Sequence, residues 1–355
     1  MTASILALTR YDRMGASSRV RFLQYVPHLE RMGMQVAVQP LLSREYLTRL
    51  YADGARSPAM VAAAFINRLW ELLGHNSADI IWLQREVLPF LPVGLEKVLL
   101  ARKPVVIDFD DAHHLYYKNS RSRIIRALYQ DKTESLMRHA QAVVVGNKTL
   151  ASFAESAGVN NLYEVPSAVD VSRYKVIRSK GTRFTVGWIG TPVTAQQSLP
   201  MVLGPLKKFL SETGSRCVLM GAGDIDLQGV EAKRSSWDEL GEAEFFSEIT
   251  VGLCPLEDTE WNRSKSGYKI IQYMAAGKPS LVSPVGIARD LVTSGQTGFQ
   301  CRTEQDWYDR LMQLYGGHTL TQKLGVRAQE EALEKYDTTV AAAKLYQIFQ
   351  GCLED

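Results

Sequence analysis

At 355 residues, with 46% hydrophobic and 22% charged residues, the chain has the composition of an ordinary folded protein and exceeds what one core usually supports; two domains of roughly 150–180 residues are expected. The formal charge of +3 divides into 20 Lys/Arg against 16 Asp/Glu over residues 1–170 and 21 against 22 beyond, a mild excess that argues against a nucleic-acid partner and suits contact with an anionic membrane surface. Cys217, Cys254, Cys301 and Cys352 are far apart, with no Cys-x-x-Cys pair and no clustered histidines, which argues against zinc and a disulfide framework and for reduced thiols in a cytoplasmic protein. The apolar run after Met1 is too short for a signal peptide, and no stretch reaches the length of a membrane span.

In chain order, apolar runs predict strands at Ser4–Thr9, Gln35–Val38, Asp79–Leu83, Pro104–Phe109, Ala142–Val145 and Leu162–Val165, with helices in the gaps, clearest at Arg19–Arg31, Arg123–His139 and Leu150–Ala157. A second series follows at Phe184–Ile189, Arg216–Met220, Thr250–Pro255, Ser280–Ser283 and Phe299–Cys301, with three helices after residue 303. Such alternation predicts an α/β fold of parallel sheets covered by helices on both faces, built as two Rossmann-like domains. The boundary is expected around 168–182, giving domains 1–170 and 171–335, with 336–355 as a C-terminal helix that packs back on the first domain.

Several stretches carry candidate chemistry. In Gly15-Ala16-Ser17-Ser18-Arg19-Val20-Arg21, Ser17 or Ser18 is placed to cap a helix, and Arg19 falls in its first turn, where a cation is unfavourable without a nearby anion; the bland reading is a capped helix with an exposed arginine. Asp108-Phe109-Asp110-Asp111-Ala112-His113-His114 follows an apolar strand, and alternation puts Asp108 and Asp110 on one face, as either a metal motif or a capped turn with solvated aspartates. Residues 116–138 carry six cations among Ile124, Ile125, Leu128 and Tyr129, which reads as a basic helix for lipid headgroups or a plain surface helix. Trp70, Trp82 and Trp237 read as core or cleft residues.

The most informative segment is 263–286. A glycine loop with Arg263, Lys265 and Lys269 runs into a helix that should stop at Gly277 and Pro279, the layout of an anion site at a helix N-terminus, with a solvated basic loop as the alternative. Ile270, Tyr273 and Met274 should face the sheet, with Lys269 and Gln272 on another face.

The run Gln272-Tyr273-Met274-Ala275-Ala276-Gly277-Lys278-Pro279, followed by Pro284-Val285-Gly286 and Ser294-Gly295-Gln296-Thr297-Gly298-Phe299, resembles the donor-site signature of family-4 retaining glycosyltransferases of the GT-B fold. The resemblance covers most of the chain and implies two Rossmann-like domains facing each other across a cleft, with a nucleotide diphosphate sugar as substrate and no metal or other cofactor. The two signature glutamates align with Ser264 and Gln272, the latter a variant that occurs in a branch of the family; a glutamine carbonyl still accepts from a ribose diol, more weakly than a carboxylate. Gly15 and Arg19 match the N-domain loop that approaches the diphosphate, and Gly190 and Thr191 stand at the turn where family members carry an arginine. A family lysine position falls near Gln196 or Gln197, so Arg263, Lys265 and Lys269 are expected to supply the missing charge.

His113 matches the histidine that hydrogen-bonds the transferred sugar, Asp111 is placed to orient it or to accept from the acceptor hydroxyl, and Glu86 is an acceptor-side candidate. The implied reaction is metal-independent retaining transfer of a hexose to a glycan or lipid-linked acceptor in bacterial surface polysaccharide assembly, in the cytoplasm or peripherally at the inner face of the membrane. A metal-dependent GT-A enzyme using Asp108 and Asp110 is disfavoured by the second nucleotide-type unit. A nucleotide-sugar 2-epimerase and a catalytically silent nucleotide-binding partner remain as alternatives.

Overall fold

In the computed structural model, which describes residues 3–54, 57–74, 78–174, 183–239 and 241–354, the two series of apolar runs form two separate parallel sheets. The first holds β1 (Ser4–Tyr11), β2 (Gln35–Leu42), β3 (Ile80–Gln84), β4 (Val105–Phe109), β5 (Ala142–Val145) and β6 (Leu162–Glu164) in the order β2-β1-β3-β4-β5-β6. The second holds β7 (Thr185–Ile189), β8 (Arg216–Met220), β9 (Lys233–Ser235), β10 (Val251–Cys254), β11 (Ser280–Val282) and β12 (Gly298–Gln300) in the order β12-β11-β10-β7-β8-β9. β3, β4, β5, β7 and β10 are buried along their whole length, as strands covered on both faces must be.

The chain divides into two compact units, Met1–Ser167 with Ser264–Ser266 and Thr338–Asp355, and Ala168–Arg263 with Gly267–Asp337. Within the first unit the C-terminal helix Thr338–Glu354 lies on the sheet, where Phe349 packs edge-on against Trp82 at 5.3 Å and Trp82 stacks on Phe22 at 4.0 Å. Of the expected boundary region, Val171–Tyr174 is a 3-10 turn, and 175–182 lie outside the described residues.

Topology locates the places where ligands bind. In open parallel sheets these lie beyond the C-terminal strand ends where the winding reverses. In the first sheet that point falls between β1 and β3, at Arg10–Tyr11 and Arg85–Glu86; in the second, between β7 and β10, at Gly190–Thr191 and Pro255–Leu256. Tyr273 ties the second pair together: its hydroxyl accepts from Ile189 N–H at 3.3 Å and donates to the Leu253 carbonyl at 3.2 Å. Gly252 leaves the room this requires, since a Cβ there would stand 2.4 Å from the Tyr273 ring.

Two helical expectations change, and one side chain moves to the surface. Arg19–Arg31 is not one helix: a π turn at Arg19–Leu23 precedes the helix Val26–Arg31 and buries three consecutive residues, Val20, Arg21 and Phe22, which a regular one-faced helix does not do. Arg123–His139 is likewise two helices, Arg123–Tyr129 and Lys132–Met137, and the second buries Lys132 and Thr133. Trp70 is neither core nor cleft but an exposed residue of helix Pro58–Leu73.

Candidate functional site

The first unit concentrates charge at the ends of β3 and β4. Arg85, directly after β3, adopts φ +68°, a left-handed conformation that costs a non-glycine residue about 1 kcal/mol or more. That conformation accompanies a guanidinium contact at 2.7 Å to Asp110 Oδ1 and a longer one at 3.5 Å to Asp111 Oδ2. Burial, then the neighbouring Asp110 charge, pushes Asp111 up to about 7, against the opposing charges of Arg85 and Lys265. With 32% of its side chain exposed, Asp111 is open to an incoming hydroxyl.

Asp108 lies deeper, held by two bonds of 2.9 Å from Arg21, whose third bond reaches the Val165 carbonyl at 2.8 Å. The bidentate guanidinium keeps Asp108 ionised at neutral pH although burial lifts its pKa to about 6. Asp108 and Asp110 are thus not solvated: each carboxylate is engaged by an arginine.

His113 opens the short helix His113–Lys118, and its Nε2 lies 3.1 Å from Glu86 Oε1. Glu86, not Asp111, orients this ring, because the Asp111 side chain is turned to Arg85. Burial lowers the His113 pKa although Glu86 raises it, so the ring is neutral at pH 7; Nε2 then carries the proton donated to Glu86 and Nδ1 is the acceptor. His114 instead stacks on Phe153 at 3.8 Å and packs in the core.

Behind His113 is a buried ionic chain. Glu86 Oε2 accepts from Tyr117 Oη and Lys132 Nζ, both at 2.7 Å, and Arg10 approaches Oε1 at 3.6 Å. Lys132 also reaches Glu96 Oε1 at 2.7 Å and donates to the Leu88 carbonyl at 2.8 Å. Burial alone would raise Glu86, but the His113 hydrogen bond, the charge that the His113 ring gains in the acid range where Glu86 titrates, and Lys132 prevail and hold it at about 2. In Glu96 burial wins over Lys132 and the carboxyl is pushed up to about 7. Lys132, read from sequence as part of a basic surface, is therefore the cation of this cluster.

Gly15 and Arg19 stand at the end of β1. A Cβ on Gly15 would lie 2.3 Å from Tyr11 Cβ, so local packing demands the glycine. Neither Ser17 nor Ser18 caps the helix start; Ser18 Oγ accepts from Tyr11 N–H at 3.0 Å and donates to Gln84 Oε1 at 2.7 Å, joining β1 to β3. Arg19 is half-buried and donates to the Arg13 carbonyl at 3.1 Å.

In the second unit Gly190 and Thr191 follow β7. A Cβ on Gly190 would come within 2.5 Å of the Trp188 ring and 2.8 Å of Thr194 Oγ1, and the exposed Thr191 caps helix Pro192–Ser198 reciprocally with Thr194. Gln196 and Gln197 are exposed on that helix. Lys269, in the first turn of helix Tyr268–Ala275, places Nζ over the buried Trp188 ring at 4.2 Å. Gly190, Trp188 and Lys269 thus form one unit, in which the missing Cβ makes room for the ring that carries the cation.

Gly267 precedes this helix with φ +67°, and the helix ends at Gly277 with φ +65°, where Gly277 N–H donates to the Met274 carbonyl at 2.9 Å. Ile270, Tyr273 and Met274 are fully buried. Arg263 is exposed and paired with Asp258 at 2.6 Å, while Ser264–Ser266, counted with the first unit, is held by Asn147 Nδ2, which donates to the Ser264 carbonyl at 2.8 Å. Lys265 acts electrostatically on Asp111 in that same unit. Lys269 thus sits at the helix start, Arg263 is tied to a carboxylate, and Lys265 is counted with the first unit.

Gln272 is buried and its Nε2 lies 3.3 Å from Tyr174 Oη. Tyr174 Oη is 3.4 Å from Glu242 Oε2, and Trp237 Nε1 donates to Glu242 Oε1 at 2.9 Å. The polarity of this chain follows from its ends. An indole N–H only donates and an ionised carboxylate only accepts, so Tyr174 donates its proton to Glu242 and can only accept from Gln272. Gln272 must then turn its NH2 to Tyr174, which leaves the amide carbonyl as its acceptor, alongside the second N–H of the NH2. Glu242 and Tyr174 were not legible as site residues, because they are 68 residues apart and neither stands in a recognisable motif. Arg10, Arg21, Arg85, Tyr117, Lys132 and Glu96 also escaped the sequence reading; the available signal was a cation inside an apolar stretch, as in Val20-Arg21-Phe22.

Two α/β units, each with a six-stranded parallel sheet, make this a GT-B fold. Residues 183–316 match the family model described as Glycosyl transferases group 1. Among solved structures the chain is similar to a glycosyltransferase from Rickettsia africae (12% identity, 100% of this chain and 99% of that one, TM-score 0.73). It is also similar to the sucrose-phosphate synthase of Thermosynechococcus elongatus (12%, 99% and 99%, TM-score 0.71) and to HepE of Anabaena in complex with UDP-glucose (15%, 98% and 99%, TM-score 0.69). No curated protein matches the chain by sequence.

Proposed function

We propose that the chain is a retaining, metal-independent glycosyltransferase that moves a hexose from a nucleotide diphosphate sugar to a glycan or lipid-linked acceptor in bacterial surface polysaccharide assembly, working in the cytoplasm at the inner face of the membrane. The observation that carries the reading is the polarised chain Trp237–Glu242–Tyr174–Gln272, which sets an acceptor carbonyl at the position where the family signature has a ribose-binding glutamate. The match over 183–316 and the UDP-glucose bound by HepE support a nucleotide sugar as the ligand.

In this reading Gln272 accepts from the ribose hydroxyls. Lys269, held over Trp188, and the backbone N–H groups that follow Gly267 stabilise the departing diphosphate, the electrostatic contribution that dominates such chemistry. Arg263 and Arg19 stand at the edges of their loops as auxiliary cations. His113, neutral and oriented by Glu86, offers Nδ1 to a sugar hydroxyl, and Asp111 accepts from the attacking hydroxyl.

The test is a calorimetric titration with UDP and with a panel of nucleotide sugars, in the presence and absence of EDTA, on wild type and Lys269→Ala. Binding that is insensitive to EDTA and lost in the variant, followed by acceptor-dependent release of the nucleoside diphosphate, is expected. Absence of binding by every nucleotide, or release of a free 2-epimerised sugar without acceptor, refutes the reading.

A further inference from the structure

The first unit carries an apolar surface that the glycosyl-transfer chemistry does not use. On helix Pro58–Leu73 the inner face, with Phe65, Leu69 and Leu72, packs into the core of the unit. The outer face shows Ile66, Trp70 and Leu73 at positions i, i+4 and i+7. The next helix, Val93–Leu100, turns Val93 and Leu99 inward and shows Leu95 and Val98. Helix Arg123–Tyr129 adds Ile124 and Leu128, one turn apart. These seven side chains are between 55 and 77% exposed.

They lie on one layer of the unit. Helix Pro58–Leu73 packs beside Val93–Leu100, which packs beside Lys132–Met137, and helix His113–Lys118 touches both that helix and Arg123–Tyr129. The connections β2 to β3, β3 to β4 and β4 to β5 all step in the same direction across the sheet, so right-handed crossovers put their helices on one face. A soluble monomer rarely leaves so many large apolar groups on one layer without a partner.

The charges around them choose that partner. Arg102 is exposed on the connection from β3 to β4, with Lys97 half-exposed between Leu95 and Val98, and Arg121 and Arg123 are exposed on the connection from β4 to β5. From Tyr116 to Gln130 the sequence contains no carboxylate, and of the acidic residues on the two longer helices Glu96 is buried, leaving Glu71 exposed. Tyr116 and Phe90, each about half exposed, add aromatic rings 6.1 Å apart beside helix Arg123–Tyr129. Apolar side chains rimmed by arginine and lysine, with aromatic rings at the margin, match the boundary between acyl chains and anionic headgroups.

We propose that this helical layer is a docking surface for an anionic lipid bilayer, with the Ile66, Trp70 and Leu73 face inserted among headgroups and Arg121 and Arg123 on phosphates. The docking stands on exposure and charge alone. Only its use rests on the proposed function: Tyr116, stacked ring to ring with His113 at 6.1 Å, places the edge of the surface beside the candidate acceptor residues, where a lipid-linked acceptor would arrive.

Flotation of the full chain with vesicles of phosphatidylcholine alone, or with phosphatidylglycerol added, tests this at low and high salt. Wild type should float with the anionic vesicles, and less so as salt rises. Arg121→Gln with Arg123→Gln should weaken partition on the order of thirtyfold, since each cation near an anionic surface contributes about a factor of five. Trp70→Ser with Leu73→Ser should weaken it by about tenfold or more and remove the blue shift of tryptophan emission, with the melting temperature unchanged because both side chains are already in water. Failure of wild type to float, equal flotation of both variants, or a wild-type dimer in solution that the Trp70/Leu73 variant abolishes would overturn the proposal, the last by assigning the surface to a second copy. UDP binding measured on the same samples separates this outcome from the fate of the glycosyl-transfer reading.

Discussion

Replacing Lys132 by methionine isolates the energetics of the buried ionic chain. The wild-type ammonium lies 2.7 Å from both Glu86 and Glu96, and all three groups are buried. Methionine matches the length of the stem and removes the charge, so what changes is the compensation of two carboxylates. Breaking a buried pair from one side costs roughly 3–5 kcal/mol, which in a domain of this size lowers the melting temperature by about 6–20 °C.

The pH dependence gives the sign. Without Lys132 both carboxyls titrate higher in the folded variant than in the folded wild type, so the variant binds protons more readily as pH falls and its stability deficit shrinks from pH 8 to pH 5. Adding Glu96→Gln should recover a large part of the loss, because Glu96 is already pushed up to about 7 and its neutral form needs no cation, whereas Glu86 keeps His113, Tyr117 and Arg10. Calorimetric unfolding at several pH values is the assay. A deficit under about 1 kcal/mol at pH 8, or one that grows on acidification, would show that the carboxylates of this cluster do not depend on Lys132 for their compensation.

Three further outcomes follow from the site. In Glu242→Gln the new amide still accepts from Trp237, turns its NH2 to Tyr174 and forces the tyrosine to donate to Gln272 instead, so UDP affinity should fall severalfold with little change in melting temperature; unchanged calorimetric affinity would refute the polarity argument. With Asp111 pushed up to about 7 and serving as the acceptor in the proposed reaction, turnover should fall as pH drops below about 7, and Asp110→Asn, by removing a like charge, should move that limb of the pH–rate profile to lower pH; a limb that stays in place rules Asp111 out as its source. Gly190→Ala must displace Trp188 or Thr194 and with them the seat of Lys269, so UDP affinity and stability should fall together, whereas Thr191→Ser, which keeps the cap, should alter neither.

The sheets were legible because buried parallel strands leave a plain record. Residues 105–107 and Ala142–Val145 are apolar runs rich in β-branched side chains, and the strands they belong to lie in the sheet within a residue of their expected limits. β9 left no such record: Lys233–Ser235 is an exposed edge strand of three polar residues. The stop at Gly277 was also readable, since a left-handed residue before Pro279 admits few alternatives. The breaks inside Arg19–Arg31 and Arg123–His139 were not. Both occur where a cation, Arg21 or Lys132, is carried into the core toward a carboxylate from a distant strand end, and helical periodicity contains no information about partners 87 or 46 residues away.

The same limit explains the candidate site. Single residues in strand-end loops, His113, Asp111 and Glu86, were accessible because topology sends chemistry to those ends and the family resemblance picked out His113 and Glu86 there. Their partners were not, and the partners decide what each residue can do. Glu86 read in isolation is an acceptor-side candidate; with Lys132, Tyr117 and His113 around it and a pKa held at about 2, it orients a ring and does not take up a proton near neutral pH. Gln272 read in isolation is a lost glutamate. Joined to Tyr174 and Glu242, it is an amide whose orientation is dictated by a carboxylate two hydrogen bonds away, so a neutral side chain presents the acceptor that a glutamate would have presented, without burying a second uncompensated charge beside Glu242.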